Sequence, residues 1–581
     1  MSGTHQQNLE TRALLAVFAP SSRLAIMQLN QLIPPANPTM QYYHTLSDQF
    51  VGLIIKDWTP HPFSDAEIQA ERLQCRERIV SIRRLEAIQQ RLHPRRDLQL
   101  EHTLFLARFD NRTRNGRIFR INDLPHQILE NIFHLVVWTA PSTKTGVQWR
   151  TALTSVCHRW RIVALENVTL WNAVWFTKFS QYEQAWEYIE RAGNSALDIR
   201  INDSPEEPLT LQTTTDLITR LFRKLSNIRV LVIVVQEWDP AFCFIHSLLR
   251  VGKKGIPMIL EHFEIHRAGA MYLQLGSGYQ PSSFIRPMAL FGGAYLPSLR
   301  HITTNGVHLD WEKSVFANLK ALDMRRMPLD KVPSLKRFRD MLQQCPSLEK
   351  LLLDGAGPGW EGMPYTLPVT NLAPIPLPHL KHLVLGDFSI DYGTYLCTLF
   401  TVPNVLDLQL MYLAGHDPSN LFDQLLGKTP FVKTLTLHSS LEVIVPEAQP
   451  SIIKWLKSMP HLRYLRVVNM PKEFFNLLLY DANTLRPALH HSNPICPELS
   501  YLEYRYLSPA TSPELTYIPR WVDSRAKSGS PLLKVFTGDE SVSGFAQEQV
   551  DNLYDALQGM GVTLERLPYP QKPSEECELI P

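Results

Sequence analysis

A proline followed by apolar residues two, five and seven positions later returns along the second half of this chain. The phrase stands at Pro346 (Leu348, Leu351, Leu353), Pro378 (Leu380, Leu383, Leu385), Pro403 (Val405, Leu408, Leu410), Pro430 (Val432, Leu435, Leu437), Pro460 (Leu462, Leu465, Val467) and Pro497 (Leu499, Leu502, Tyr504). Pro297 opens it with Leu299 and Ile302, and weaker copies surround Ile228, Leu260, Leu319 and Leu533. Apolar residues two apart sit on one face of a strand, because successive side chains alternate between faces. The copies recur irregularly, about 20 to 40 residues apart, which is the period of a repeat array. Between them lie helical groupings such as Leu335, Phe338, Met341 and Leu342, or Leu421, Phe422, Leu425 and Leu426 ahead of Gly427. One strand and one helix cannot bury their own apolar sides, so consecutive units must stack. The expected class is therefore α/β, with a solenoid over residues 177–545.

This pattern resembles leucine-rich repeats, which implies a horseshoe with a parallel sheet. The Asn or Cys of such repeats, three residues past the last strand leucine, is replaced here by Ala356, Phe388 and Leu413, so an irregular array is expected. On its concave side the residues between the inward leucines are expected to face solvent: Asp323 and Arg325, Asp354, Asp407 and Gln409, His438, Tyr464 and Arg466, and Tyr501, Glu503 and Arg505. A mixture of charge with tyrosine suits recognition of a protein substrate better than of a small apolar ligand.

Upstream of the array, Ser64 and Glu67 form a capping-box pair, and Cys75, Ile79, Ile82, Leu85, Ile88 and Leu92 recur at helical steps until Pro94. An amphipathic helix is expected over residues 64–93, after a poorly determined segment, 1–63. Between Arg72 and Arg120 there are 13 Arg and no Lys against five acids. That run reads as a helix face followed by an Arg-rich linker over 94–120, or as a site for an anionic partner. No aromatic interleaving or nucleic-acid motif accompanies it, and nucleic acid is not the expected partner. The balance of the whole chain, 58 Lys plus Arg against 56 Asp plus Glu, argues against a globally basic binder.

Residues 121–176 carry the functional signal. Pro125 suits the first turn of a helix and Asp123 the positive end of its dipole. Ile128, Leu129, Ile132, Phe133 and Val136 form a stripe too wide for a helix with one neighbour. A second helix is expected after the loop from Pro141 to Gly146, with Ala152, Val156 and Trp160 on one face. Leu124-Pro125-x-x-Ile128-Leu129-x-x-Ile132-Phe133, then Val156-Cys157-x-Arg159-Trp160, then Leu170-Trp171, resembles an F-box. Together with the upstream helix and the irregular repeats, it is similar to fungal F-box proteins.

The resemblance implies a receptor subunit of a cullin-type ubiquitin ligase. Leu124, Pro125, Ile128, Leu129, Ile132, Phe133, Val156 and Cys157 would face a Skp-family adaptor, while Trp160 and Trp171 pack internally. A non-degradative repeat-type scaffold remains the alternative reading, as does a nucleic-acid-associated binder through the Arg-rich run.

Catalytic signals are poor. Gly355-Ala-Gly357-Pro-Gly359 follows a strand, but its proline and the lack of a following helix pattern make it a connecting turn. His490-His491 reads as a solvated loop. Seven scattered cysteines without a C-x-x-C argue against a disulfide framework and a zinc site, so no cofactor, metal or catalytic residue is assigned. With no signal peptide and no apolar run near the roughly 20 residues of a membrane span, a cytoplasmic or nuclear protein is expected. Residues 546–568 are expected to form a terminal helix or cap, and 569–581 a flexible tail.

Overall fold

The structure is a computed structural model that describes residues 64–92, 97–118, 121, 124–140, 143–178, 182–254, 258–269, 286–328, 330–359, 372–438, 444–480, 494–505, 517–538, 547–567 and 572–579. The expectations on residues 1–63, Asp123, Pro141, His490-His491 and Tyr569 lie outside them. The described residues form two compact units, one lying within residues 1–172 and 188–195, the other within 173–187 and 196–581.

In the first unit, helix α1 (Asp65–Leu92) starts at the capping box: the Ser64 amide donates to Glu67 Oε2 at 2.7 Å, and the Glu67 amide to Ser64 Oγ at 3.4 Å. The run expected to be a linker is instead helix α2 (Leu98–Ile118), with Asp97 Oδ1 accepting from Leu100 N at 3.1 Å. It packs antiparallel to α1 through ion pairs of inverted order, Arg114–Glu71, Arg78–Asp110 and Arg108–Glu86. Arginine is a good helix former, and three of these arginines find carboxylates on the neighbouring helix, so the run has no need to be a linker. The α1 stripe is only partly covered: Cys75 and Ile82 are buried, whereas Ile79, Ile88 and Leu92 are exposed.

Helix α3 (His126–Trp138) begins after Pro125, and Leu129, Phe133 and Val137 form its buried edge. The expected second helix is two, α4 (Thr143–Val156) and α5 (His158–Glu166), because Cys157 is extended at φ −156° and caps α5, its Sγ accepting from Trp160 N at 3.5 Å. Phe133 meets Trp160 at 4.9 Å between ring centroids, and Trp171, whose Nε1 donates to Ala164 O at 2.7 Å, packs tilted against Tyr188 at 5.1 Å.

Among its described residues the second unit contains a sheet of fourteen parallel strands in sequential order. They are β1 (Ala173–Phe176), β2 (Leu197–Asn202), β3 (Ile228–Val235), β4 (His262–Arg267), β5 (His301–Asn305), β6 (Ala321–Arg325), β7 (Lys350–Asp354), β8 (His382–Ser389), β9 (Asp407–Ala414), β10 (Thr434–His438), β11 (Tyr464–Val468), β12 (Tyr501–Arg505), β13 (Lys534–Thr537) and β14 (Thr563–Arg566). Every strand from β2 to β13 lies between its predecessor and successor, the topology of a one-strand-per-repeat solenoid. The phrase read from the sequence falls into register: Leu351, Leu383, Leu408, Leu435, Leu465 and Leu502 stack across β7 to β12, all at 0% exposure.

The α-helices that follow are α6 (Tyr182–Ala192), α7 (Leu211–Leu221), α8 (Trp238–Lys254), α9 (Leu335–Gln343), α10 (Ile390–Leu399), α11 (Ser419–Leu425), α12 (Gln449–Lys457), α13 (Lys472–Leu477), α14 (Tyr517–Lys527), α15 (Gln547–Gly559) and α16 (Ser574–Leu579), and a separate pair of short parallel strands joins Ile375–Pro376 to Phe400–Thr401. Those between strands bury edges such as Phe338, Met341 and Leu342, and touch one another through pairs such as Phe422–Trp455 at 4.6 Å. Between β5 and β6 no helix intervenes among the described residues, and Val307, Leu309, Trp311 and Phe316 fill its place. Ala356, Phe388 and Leu413, which replace the expected Asn, are buried, Ala356 just after β7 and Phe388 and Leu413 in register within β8 and β9, so apolar packing takes the place of an Asn ladder there.

Candidate functional site

With the leucines on one side, positions one, three and five of the strands from β4 to β12 form the opposite face of the sheet. Contrary to the solvent-facing expectation, many of its polar and charged residues are buried: Asp323, Asp354, Asp407, Tyr464, Glu503 and Arg505 all lie below one tenth exposed. The reason is the spacing of adjacent strands, about 4.8 Å, at which a long side chain on one strand covers its short neighbour on the next. Arg325, Gln409, His438, Arg466 and Tyr501 are half-buried.

These residues form separate polar groups along the face. Arg325 grips Asp323 with two hydrogen bonds of 2.7 Å. Asp354 fits because its register partner on β8 is Gly386, where a Cβ would stand 2.8 Å from Asp354 Oδ1. Asp407 Oδ2 accepts from Gln409 Nε2 at 2.9 Å and lies 3.3 Å from His382 Nδ1. The His438 ring lies 2.9 Å from the Tyr412 hydroxyl, and burial lowers its pKa. The glycine segment after β7 serves as a turn, as its proline implied: Gly355 has φ +57° and donates to Gly386 O at 2.7 Å.

The densest group covers β11 to β13. Glu503, 1% exposed, accepts from the Tyr464 hydroxyl at 2.5 Å and from Arg466 Nε at 2.7 Å, and pairs with Arg505. Burial pushes its carboxyl up, but Arg466, Tyr464 and Arg505 together outweigh burial and hold it below the usual range. Tyr464 packs against Tyr501 and Phe536 at 6.1 and 5.9 Å.

The stretch expected to be a flexible tail returns to this group. Helix α16 sets Glu576, 2% exposed, against Arg466, while Glu575 accepts from Lys534 Nζ at 2.6 Å and Leu579 O from Lys433 Nζ at 3.2 Å. Leu579 packs against a core of Tyr464, Phe536 and Leu567. Sequence reasoning missed α16, Lys433 and Lys534, and also a group at β4 where Glu264 sits between His262 and His266, 2.5 and 2.9 Å away. Phe263 and Ile265 carried the alternation that places those histidines outward; α16 had no comparable signal.

On the helical unit, Leu129, Phe133 and Val156 are buried, which corrects their assignment to a partner-facing surface: Leu129 and Phe133 lie on the buried edge of α3, and Phe133 packs on Trp160. Leu124, Ile132 and Cys157 are half-buried, and Pro125 is exposed. Ile128, Leu135 and Trp138 are 45, 65 and 48% exposed. Arg150 is fully buried, its guanidinium 5.6 Å from the Trp138 ring and 5.8 Å from that of Tyr188, and burial lowers its pKa to about 10.

Among the described residues no cluster of His, Cys, Asp and Glu is arranged to hold a metal, and no helix is long and apolar enough to cross a membrane. None of the seven cysteines is joined in a disulfide. No family model matches the chain, and no curated protein matches it. Among solved structures it is similar to the crystal structure of a TLR13–ssRNA13 complex, with 13% identity and a TM-score of 0.29, over 66% of this chain and 44% of that one. The chain thus spans less than half the length of that relative, and its fold assignment stands on its own strand order and register.

Proposed function

We propose that this chain is a non-catalytic, repeat-type protein-interaction scaffold that takes a protein partner on the sheet face opposite its leucine ladders. The observation that carries this reading is the row of preformed polar groups along that face, from Glu264 through Asp323–Arg325 and Asp407–Gln409 to Tyr464–Glu503–Arg466. Charged groups already fixed by neighbours lose little freedom on binding, so they favour a partner of complementary pattern. Crosslinking mass spectrometry on the chain with its native partners tests it. Partner crosslinks should concentrate near β4 to β13 on this face, and crosslinks confined to the helix layer would remove the reading.

A second reading is favoured by the uncovered apolar residues Ile128 and Leu135 on α3, with Pro125 beside them. Here the helical unit docks a Skp-family adaptor of a cullin ubiquitin ligase, and the array presents a substrate, with proximity promoting ubiquitin transfer. Burying each such apolar side chain contributes about 1.5–3 kcal/mol, so a few suffice for a complex. Co-purification with a Skp-family adaptor should be lost in an Ile128→Glu, Leu135→Glu variant that keeps its helical signal. Failure of the folded wild-type chain to bind would leave the scaffold reading alone.

A further inference from the structure

The face around β11 to β13 is already occupied, and by a segment of unusual character. Helix α16, Ser574–Leu579, is six residues long, too short to be stable in water by itself. Its order must come from what it touches, and ionic contacts lead among them. Glu576 reaches Arg466, Glu575 reaches Lys534, the Leu579 carbonyl accepts a hydrogen bond from Lys433, and the Leu579 side chain rests against Tyr464, Phe536 and Leu567. Cys577 and Glu578, between them, are exposed and contribute little.

On the sheet side the receptor is built without α16. Arg466 is held by Glu503 Oε2 at 2.7 Å, and Glu503 in turn by the Tyr464 hydroxyl. The Lys534 ammonium lies 4.8 Å from the Phe536 ring and pairs with Glu565 of β14. Lys433 also lines an open groove of about 400 Å³ in which Lys381, His379 and His461 stand beside the apolar Leu406 and Phe431. Three cations and an aromatic floor thus meet a segment reading Glu-Glu-x-x-Leu.

We infer that this face is a binding site for acidic peptides of the form Glu-Glu-x-x-Leu, which α16 fills in cis and which a partner protein's acidic segment takes by displacing it. This deepens the scaffold reading and rests on it, since it names the partner's chemistry at one part of the proposed face. A tethered occupant competes at an effective concentration on the order of mM, so the intact chain favours α16 unless the partner's segment binds well or is delivered locally. A closed, self-occupied face also shields a basic patch from unselective acidic partners.

The test uses a fluorescent peptide of residues 572–581 and measures anisotropy with the intact chain and with a chain ended after Leu567. The shortened chain should bind saturably and the intact chain roughly tenfold more weakly or worse, as a tethered competitor requires. Lys433→Glu with Lys534→Glu in the shortened chain should abolish binding, and a scrambled peptide of the same composition should bind more weakly than the native order. A shortened chain with unchanged circular dichroism that ignores the peptide overturns the inference, as does equal binding by both chains. Should the shortened chain misfold, Glu575→Lys with Glu576→Lys in the intact chain replaces it. Release of amide protection over 574–579 together with gained peptide binding supports the inference, and a helix that stays protected overturns it. If crosslinks still place a partner on β4 to β9 while the peptide is ignored, this inference fails and the scaffold reading stands.

Discussion

Replacing Leu435 by Ala probes how stability is distributed in the array. Leu435 is fully buried, with Leu408 and Leu465 in register on either side, both also fully buried. The change removes about three methylene equivalents at roughly 0.8 kcal/mol each, or about 2.4 kcal/mol. A trapped void of about 50 Å³, at about 24 cal/mol per Å³, adds roughly 1.2 kcal/mol. The sum is about 3.6 kcal/mol, a roughly 400-fold loss of protection against local opening. The same change at Leu564, on the last strand and with Val535 as its register partner, leaves space that solvent can reach, so only the transfer part applies, about 2.4 kcal/mol. Hydrogen exchange by mass spectrometry reads both: Leu435→Ala should lower protection in residues 407–414, 434–438 and 464–468 and leave α3 to α5 unchanged. Equal costs at the two positions, or a uniform loss across both units, would refute nearest-neighbour coupling.

Arg525 is fully buried and donates to the carbonyls of Leu478, Ile495 and Cys496 at 3.1, 3.2 and 2.9 Å, with its pKa lowered to about 10 by burial. Arg525→Met relieves a buried charge but strands three acceptors, so a net loss of about 2–4 kcal/mol is expected in urea denaturation, and an unchanged midpoint would contradict this. Glu503, facing Tyr464, Arg466 and Arg505 with Glu576 and Lys572 on the far side of Arg466, has a lowered pKa in the folded chain. Its stabilisation is therefore complete above the ordinary glutamate value, about 4.3, and lost as pH falls through the lower folded value; thermal scans from neutral to acid pH should show a steeper decline in wild type than in Glu503→Gln. On α3, Ile128→Glu should change stability by less than about 0.5 kcal/mol, whereas Phe133→Ala should cost about 3–5 kcal/mol, and thermal melts that rank them otherwise would reject the assignment of faces.

The leucine ladders were legible because their signal is local: a period of two after a proline can be read within eight residues, and parallel stacking follows from repetition. The helix at Asp65–Leu92 was legible for the same reason, through Ser64 and Glu67. The Arg-rich run was misread because its ordering depends on Glu71, Glu86 and Arg78 of the preceding helix, partners outside any local window. The polar face was placed correctly by alternation, yet its burial was not, since Asp323 or Glu503 is covered by residues on neighbouring strands. Cys157 broke an expected helix by serving as a cap through its sulfur, a role its residue type rarely announces. Helix α16 had neither periodicity nor length, and its structure depends on Arg466 and Lys534, located far earlier in the chain.

The sequential order of the fourteen strands also sets an order of assembly. A chain emerging from the ribosome releases each strand beside a neighbour that is already complete, at synthesis rates of about 5–20 residues per second. A typical parallel sheet must wait for distant segments, and long loops must close before contacts reward them. Here each closure spans only one repeat, so a growing chain can add strands like courses of brick. On that schedule α16 arrives after β11 and β13, which carry Arg466 and Lys534, and the acidic segment meets partners that are already in place.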